Sequence, residues 1–353
     1  MEKIKCAIIA ATGMAGQEFV DALDQHPWFD IVSLHGDSTV GQPFRAGRKG
    51  FTSKENSPEI MDMIIQKNDE VDLDQVEVIF SALPSSVAKQ VEAEFAQTTP
   101  VISTASAYRY EPDVPIFLPV VNGAQWELLK VQQEKRGWKG FIAPGPNCTT
   151  VGLVVALRPI YEKFGLKTVH MTSMQAITGG GYPGVAAFDI VGNVIPYIQD
   201  EEGKVRKETL KILGQFNGDG ITDANFLVDA KCNRVCTIDG HMESVFIQTE
   251  TPCSTEEILR AWREFEGDTA NLGLPNTPDP AIIVYEDPFR PQPRIDLPGH
   301  GMNTMVGGLA ETVFENGFKF TVLSHNTELG AGRGGVLSAE YLRVKGMIGK
   351  PVE

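Results

Sequence analysis

The chain has no apolar run long enough to span a bilayer, no surplus of positive charge and no paired-cysteine motif. A membrane helix needs about 20 consecutive apolar residues, so no spanning segment is expected. Met1–Lys5 runs straight into a strand-like stretch, without the apolar core and small-residue cleavage site of a signal peptide, and none is expected. Lysine and arginine total 31 against 46 aspartates and glutamates, a formal net charge of −15. That balance argues against nucleic acid and anionic membranes as partners. An anionic small-molecule substrate fits only where cations are gathered locally. The five cysteines (Cys6, Cys148, Cys232, Cys236 and Cys253) are odd in number and contain no C-x-x-C pair. Cys232 and Cys236 lack histidines at zinc spacing and read as buried thiols on one face of a strand, so no metal is expected. Such a set suits a reducing cytoplasm.

A length of 353 residues predicts two domains. The first third alternates strand-like and helix-like segments: Lys5–Ala10, Ile31–Leu34, Val76–Ser81 and Val101–Ser103 read as strands. Ser85 is placed to cap the helix after the third of these. Alternation of this kind implies a parallel sheet with helices on both faces. From about Thr149 to Leu323 the pattern changes. Ala281–Tyr285 is a continuous apolar strand, and Ser244–Gln248 alternates as strands do in an open antiparallel sheet with one covered face. The glycines before Val336 lead into a helix expected to return to the first domain.

Three segments carry chemistry. In Gly145-Pro146-Asn147-Cys148-Thr149-Thr150 a cysteine stands where a Gly/Pro loop gives way to an apolar helix. The first turn of a helix has unpaired N–H groups and a partial positive charge, which bias a thiol there toward thiolate. The competing reading is a small apolar residue opening a buried helix. In Cys232–Val245 an arginine, Arg234, precedes a histidine, His241, that follows a glycine and so stands at a strand end or turn. Cysteine and histidine form a candidate nucleophile–base pair, and the arginine offers a fork for an anion. The third segment, Ala10-Ala11-Thr12-Gly13-Met14-Ala15-Gly16, approximates the glycine turn that admits a pyrophosphate to a helix N-terminus. Ala10 replaces its first glycine, which requires a negative φ there. Beyond the second strand, Asp37 is placed for the ribose hydroxyls of NAD, Ser38 and Thr39 for the extra phosphate of NADP. The residues leave NADP and NAD both open.

With these segments the chain resembles the aspartate-semialdehyde dehydrogenases of the archaeal and fungal-like branch. The likeness runs through Ala11–Gln17, Ser106–Arg109, Pro146–Thr150, Met174–Gly184, Cys232–Val235, Asp239–Ser244 and Leu323–Thr327. The resemblance implies an α/β fold: an N-terminal Rossmann-like doubly wound parallel sheet, plus an α+β catalytic and dimerisation domain with an open mixed sheet. Residues 1–148 and 327–353 are expected to form the NADP-binding domain, and 149–326 the catalytic and dimerisation domain, assembled as a homodimer or homotetramer. It further implies NADPH-dependent, reversible reduction of L-4-aspartyl phosphate to L-aspartate 4-semialdehyde and phosphate, through a cysteine thioester, in the biosynthesis of lysine, threonine, methionine and isoleucine.

Under that resemblance Cys148 attacks the carbonyl carbon, His241 is acid and base, and Asn147 positions the thiol or developing oxyanion. Arg234 pairs with the substrate carboxylate and Glu201 with its ammonium group. Arg109 and Lys204 hold phosphate, and Gln175 orients the substrate. Ala11, Thr12, Gly13, Met14, Ala15, Ser38, Thr39, Ser81, Gly179 and Asn326 fall to the cofactor, Asn326 at the nicotinamide carboxamide. Glu208 reads as a solvated helix residue, and His26, His35, His170, His300 and His325 as turn or surface residues. Two departures stand out. Glu328–Arg333 differs from the family's glycine–alanine context, and Ser38 stands where many members have an arginine for the NADP phosphate.

Among rivals, a malonyl-CoA reductase shares fold and cysteine chemistry but needs neither an ammonium-binding glutamate nor the Asn233-Arg234 pairing. An acetyl-glutamyl-phosphate reductase has an uncharged substrate amide, against Glu201. A non-catalytic dinucleotide regulator predicts loss of nucleophile or base. A cysteine hydrolase has no use for the glycine turn.

Overall fold

The computed structural model describes residues 2–48 and 55–349. Residues 1, 49–54 and 350–353 of the expected first-domain span lie outside the described residues. Six short strands open the chain: β1 (Ile4–Ile9), β2 (Phe29–His35), β3 (Ile65–Gln66), β4 (Val78–Ser81), β5 (Val101–Ser103) and β6 (Ile142–Pro144). They form one sheet in the order β3-β2-β1-β4-β5-β6, every pair parallel. Parallel strands are covered on both faces and so are apolar throughout; β4 and β5 are buried at every residue. The helix Gly332–Val344 packs on the helix Met14–Leu23, so the end of the chain does return to this sheet.

Two local readings are corrected here. Ser85 is the first residue of the helix Ser85–Ala96, whose N-cap is Pro84, and no side chain caps it. Ala10 has φ +57°, not the negative value expected. The turn tolerates this because it is tied on both sides: the Ala10 N–H donates to Asn68 Oδ1 at 3.1 Å, and its carbonyl accepts from Gly13 N at 3.1 Å. Gly16 is obligatory beside it, because a Cβ there would lie 2.1 Å from the Ala10 carbonyl oxygen.

The second sheet is built from β7 (Thr168–Gln175), β10 (Leu227–Arg234), β11 (His241–Gln248), β12 (Ile282–Tyr285), β13 (Thr304–Glu311) and β14 (Gly317–Ser324), with a small hairpin, β8 (Gln215–Phe216) and β9 (Ile221–Thr222), beside it. Its order is β10-β7-β11-β14-β13-β12. The middle pairs are antiparallel, but β10 with β7 and β12 with β13 run parallel, so the sheet is mixed rather than wholly antiparallel. One face is covered by the helix Cys148–Phe164, flanked by the helices Glu201–Ile212 and Thr255–Arg263. The opposite face carries exposed His170, Thr172 and Phe246. Thr149 through Leu157 are all buried, which explains the uninterrupted apolar run in the sequence. Each fully buried aliphatic side chain there contributes on the order of 2 kcal/mol. Strand β10 ends at Arg234, so Cys236 lies in the following turn and is exposed, while Cys232 is buried as expected.

Candidate functional site

The period of two along a strand assembles the site. Buried positions alternate along β7, β10 and β11 on the face that the helices cover. In register, Arg234 lies beside Gln175, Met242 beside Met174 and His241 beside Ser324. Arg234, Gln175 and His241 therefore form one row across three strands, all facing the helix that begins at Cys148. His241 is the first residue of β11, as its preceding glycine suggested.

Cys148 begins its helix behind the N-cap Asn147. Its Sγ stands 3.3 Å from His241 Nε2, and the Ala176 N–H, 3.2 Å from Nδ1, helps to set the ring's orientation. Burial and the Glu201 charge push the Cys148 thiol up to about 12, outweighing Arg234, Arg109 and the Thr149 N–H. Burial and the Arg234 charge push His241 down to about 3, against the pull of Glu201 and the Gly240 carbonyl. Burial thus opposes the thiolate bias of the helix terminus in the free protein. A terminus dipole falls off within one turn, whereas desolvation acts on the whole charge.

Glu201 gathers the polar groups. Its Oε1 accepts from Asn147 Nδ2 at 2.7 Å, Thr149 Oγ1 at 2.8 Å and Gln175 Nε2 at 3.2 Å. Its Oε2 lies 3.5 Å from Lys204 Nζ. Burial alone would raise this carboxyl, but those donors and Lys204 hold it below its usual range. Arg234 donates to the Ala176 carbonyl at 2.8 Å and lies 3.5 Å from Gln175 Oε1. Arg109 donates to Glu208 at 3.0 Å and to the carbonyls of Thr104 and Pro146 at 2.8 and 3.2 Å, and its buried Nε has no partner. Gly179 must be glycine, since a Cβ there would lie 2.7 Å from Arg234 Nη1 and 2.8 Å from His241 Cε1.

Cys148 opens on a cleft of about 340 Å³ whose lining also includes Met14, Ala15, Leu83, Arg109, Asn147, Thr178, Gly179 and Asn326. The glycine turn and the nucleophile thus share one cleft. Asn326 accepts from Gly240 N at 2.8 Å and donates to Thr178 Oγ1 at 2.9 Å, bracing the turn that delivers His241. Asp37 and Ser38 are exposed beyond β2, and the buried Oγ1 of Thr39 has no partner. A Cβ at Gly47 would come within 2.8 Å of that hydroxyl and 2.9 Å of Thr12 Cγ2, so Thr12 and Thr39 stand close together. Lys204 lies on a second cavity, of about 460 Å³, with Tyr110, Tyr197 and Lys207.

Several placements differ from expectation. Ser81 is fully buried and its hydroxyl donates to Glu92 at 2.7 Å; Ala82, Leu83 and Pro84 after it line the cleft instead. Glu208 is not solvated but wholly buried. His26 and His35 are also buried, His26 on Glu340 at 2.8 Å and His35 on the Lys67 carbonyl at 2.7 Å. Thr149 and Glu208 went unassigned in the sequence. The available signals were adjacency to Cys148 for the first, and for the second a spacing of seven from Glu201, two helical turns on the same face. Among the described residues no helix is long and apolar enough to cross a membrane, and no group of three or more His, Cys, Asp or Glu is placed to hold a metal ion.

A parallel sheet with a glycine turn, sharing its cleft with a half-buried cysteine paired to a buried histidine, defines a dinucleotide-binding oxidoreductase. The chain belongs to the semialdehyde dehydrogenase family: residues 5–129 match its NAD binding domain and residues 157–328 its dimerisation domain. It is 43% identical to an aspartate-semialdehyde dehydrogenase of Archaeoglobus fulgidus, over 95% of this chain and 96% of that one. It is 36% identical to a malonyl CoA reductase (NADP) of Metallosphaera sedula, over 98% and 99%. The crystal structure of the Candida albicans aspartate-semialdehyde dehydrogenase with NADP superposes with a TM-score of 0.89 at 35% identity, covering 98% of this chain and all of that one.

Proposed function

We propose that the chain catalyses the reversible, NADPH-dependent reduction of L-4-aspartyl phosphate to L-aspartate 4-semialdehyde and phosphate through a thioester on Cys148. The observation that carries this reading is the 3.3 Å approach of Cys148 Sγ to His241 Nε2 beside buried Arg234 and Glu201. As the thiol attacks the acyl carbon, its proton passes to His241 Nε2 and phosphate leaves with the C–O bonding pair. The nicotinamide, when bound, supplies hydride to the thioester carbon. The tetrahedral alkoxide then collapses to the aldehyde as the C–S bonding pair leaves on sulfur, and His241 returns its proton to the departing Cys148 thiolate. The 3.3 Å contact supports this order, since the proton can pass directly from Sγ to Nε2.

Arg234 takes the α-carboxylate, since its fork suits that group. Glu201 Oε1 is already filled by three donors, so Oε2, with only Lys204 nearby, takes the ammonium group. Arg109, through its unpartnered Nε, and Lys204 hold the phosphate. Gln175 orients the acyl group and Asn147 positions the thiol. Ala11–Ala15, Ser38, Thr39, Gly179 and Asn326 hold the cofactor, and the orphaned Thr39 hydroxyl suits a ribose-phosphate contact. Residues 1–148 with 327–353 form the cofactor domain. Residues 149–326 form the catalytic domain, whose open sheet face joins copies into a homodimer or homotetramer. The setting is cytoplasmic synthesis of lysine, threonine, methionine and isoleucine.

The test is oxidation of aspartate semialdehyde with NADP and, separately, NAD, with and without phosphate, using Cys148→Ser as control. Turnover that requires phosphate and Cys148 is expected, faster with NADP. Absence of that turnover together with NADPH-driven reduction of malonyl-CoA would move the substrate and keep the cysteine chemistry.

A further inference from the structure

We propose that Glu208 is a positioning residue that locks the phosphate-side arginine and the nucleophile's N-cap into one rigid unit. The proposal rests on the reading of Arg109 as a phosphate ligand and Cys148 as nucleophile. Glu208 is fully buried on the helix Glu201–Ile212, and two of the three donors it accepts from, Arg109 and the Asn147 N–H, belong to the site. Its Oε2 accepts the Asn147 N–H at 2.6 Å. Its Oε1 accepts from Arg109 Nη1 at 3.0 Å and from the Tyr110 hydroxyl at 3.2 Å. Arg109 Nη2 in turn donates to the Pro146 carbonyl at 3.2 Å. The peptide unit joining Pro146 to Asn147 is therefore held at both ends, its carbonyl by Arg109 and its N–H by Glu208, and the two holders are paired with each other.

That peptide ends on the N-cap residue and stands one before the Asn147–Cys148 peptide. Its plane sets the direction from which the Cys148 backbone enters the helix, and hence where Sγ stands relative to His241. Glu201, seven residues earlier on the same helix, holds the Asn147 side chain, so one helix fixes both halves of the N-cap residue. A carboxylate deprived of water is costly unless paired and hydrogen bonded, and here its ion pair and its shortest hydrogen bond both come from groups of the site. An anion that draws on Arg109 therefore acts on the same unit that aims the thiol.

The test uses full-length Glu208→Gln. Glutamine keeps the volume but turns one of its two polar atoms into a donor, which must then face either the Asn147 N–H or the Arg109 guanidinium. Alkylation of Cys148 by iodoacetamide is read by peptide mass spectrometry against the exposed Cys236 in the same sample. Displacement of Sγ from His241 is expected to lower the Cys148/Cys236 ratio by roughly tenfold, with a comparable fall in kcat and rise in the phosphate KM. The alkylation ratio needs no substrate, so it stays readable if the proposed reaction is wrong. Tyr110→Phe removes a single donor to Glu208 and is expected to shift the same quantities less; it carries the test if Glu208→Gln does not fold. A folded variant whose alkylation ratio is unchanged or higher, with kcat and phosphate KM unchanged, overturns the proposal. A lowered melting temperature with those three quantities intact makes Glu208 a structural brace and overturns it equally.

Discussion

The two sheets offer their chemistry in opposite ways. The parallel sheet presents it from loops: the turn after β1 and the segments after β2 and β4 are contiguous in sequence. The mixed sheet presents it from within and at the ends of strands: Arg234, Gln175 and His241 come from three elements and meet only through register. Loop chemistry depends on backbone that can approach a ligand, and row chemistry depends on alternation that a one-residue slip would reverse. Changes in the two places should therefore fail differently.

The sharpest break in this comparison is a pair of substitutions. Cys148→Ser is expected to lower turnover by more than roughly a thousandfold while leaving NADP affinity near normal. Gly16→Ala is expected to do the reverse, because its Cβ would lie 2.1 Å from the Ala10 carbonyl. It should weaken NADP binding by roughly tenfold or more, with Cys148 alkylation unchanged. Calorimetric titration of both variants with NADP, turnover of Cys148→Ser and iodoacetamide labelling of Cys148 in Gly16→Ala separate the cases. Loss of both properties in either variant would mean that the cleft is one cooperative unit.

Arg234→Lys is the next in size. A lysine keeps the charge but loses the fork, so the substrate KM is expected to rise by roughly tenfold with kcat less affected. Steady-state kinetics at saturating NADP and phosphate decide this, and an unchanged KM would remove Arg234 from the substrate.

The same contrast explains what could be read in the sequence. Contiguous features were legible: the cysteine behind its Gly/Pro loop, the glycine turn, four of the first sheet's six strands to within a few residues and its parallel character, whereas the short β3 and β6 were not. Arg234 and His241 were legible as a pair because one short segment carries both. What escaped depends on burial that only packing reveals. Glu208 stands among Lys207 and Lys211, and reads as solvated until Arg109 and Asn147 arrive from elements far away in sequence. The Cys148 thiol reads as activated from its helix terminus alone, and the burial that opposes this comes from packing. Ala10 broke a φ rule that the Asn68 side chain, 58 residues on, made tolerable.

The last expected effect, on stability and not on turnover, lies under the first sheet, at Glu92. Its Oε1 accepts from Ser81 Oγ at 2.7 Å and Ser103 Oγ at 2.6 Å, at the ends of neighbouring strands, while its buried Oε2 has no partner. Burial pushes this carboxyl up to about 7, and the two serines and the Arg109 charge only partly restrain it. In the unfolded chain the same group titrates at its ordinary value of 4.5. Folding therefore favours its protonated form: the contribution is fully present below the unfolded value and is lost as pH rises through the folded one. A difference of this size corresponds to about 3 kcal/mol. Glutamine keeps the serine contacts without a charge to bury, so Glu92→Gln should match the parent near pH 4 and gain on it progressively toward pH 8. Melting temperatures across that range are the measurement, and parallel curves would show that Glu92 is charged in the fold at neutral pH. Glu208 supplies the counterpart on the catalytic side, since its carboxylate accepts from Arg109, Tyr110 and Asn147 where Glu92 has only two neutral hydroxyls on one oxygen. A glutamine should therefore relieve the first sheet at alkaline pH and damage the site beside the second, which is the comparison in its smallest form.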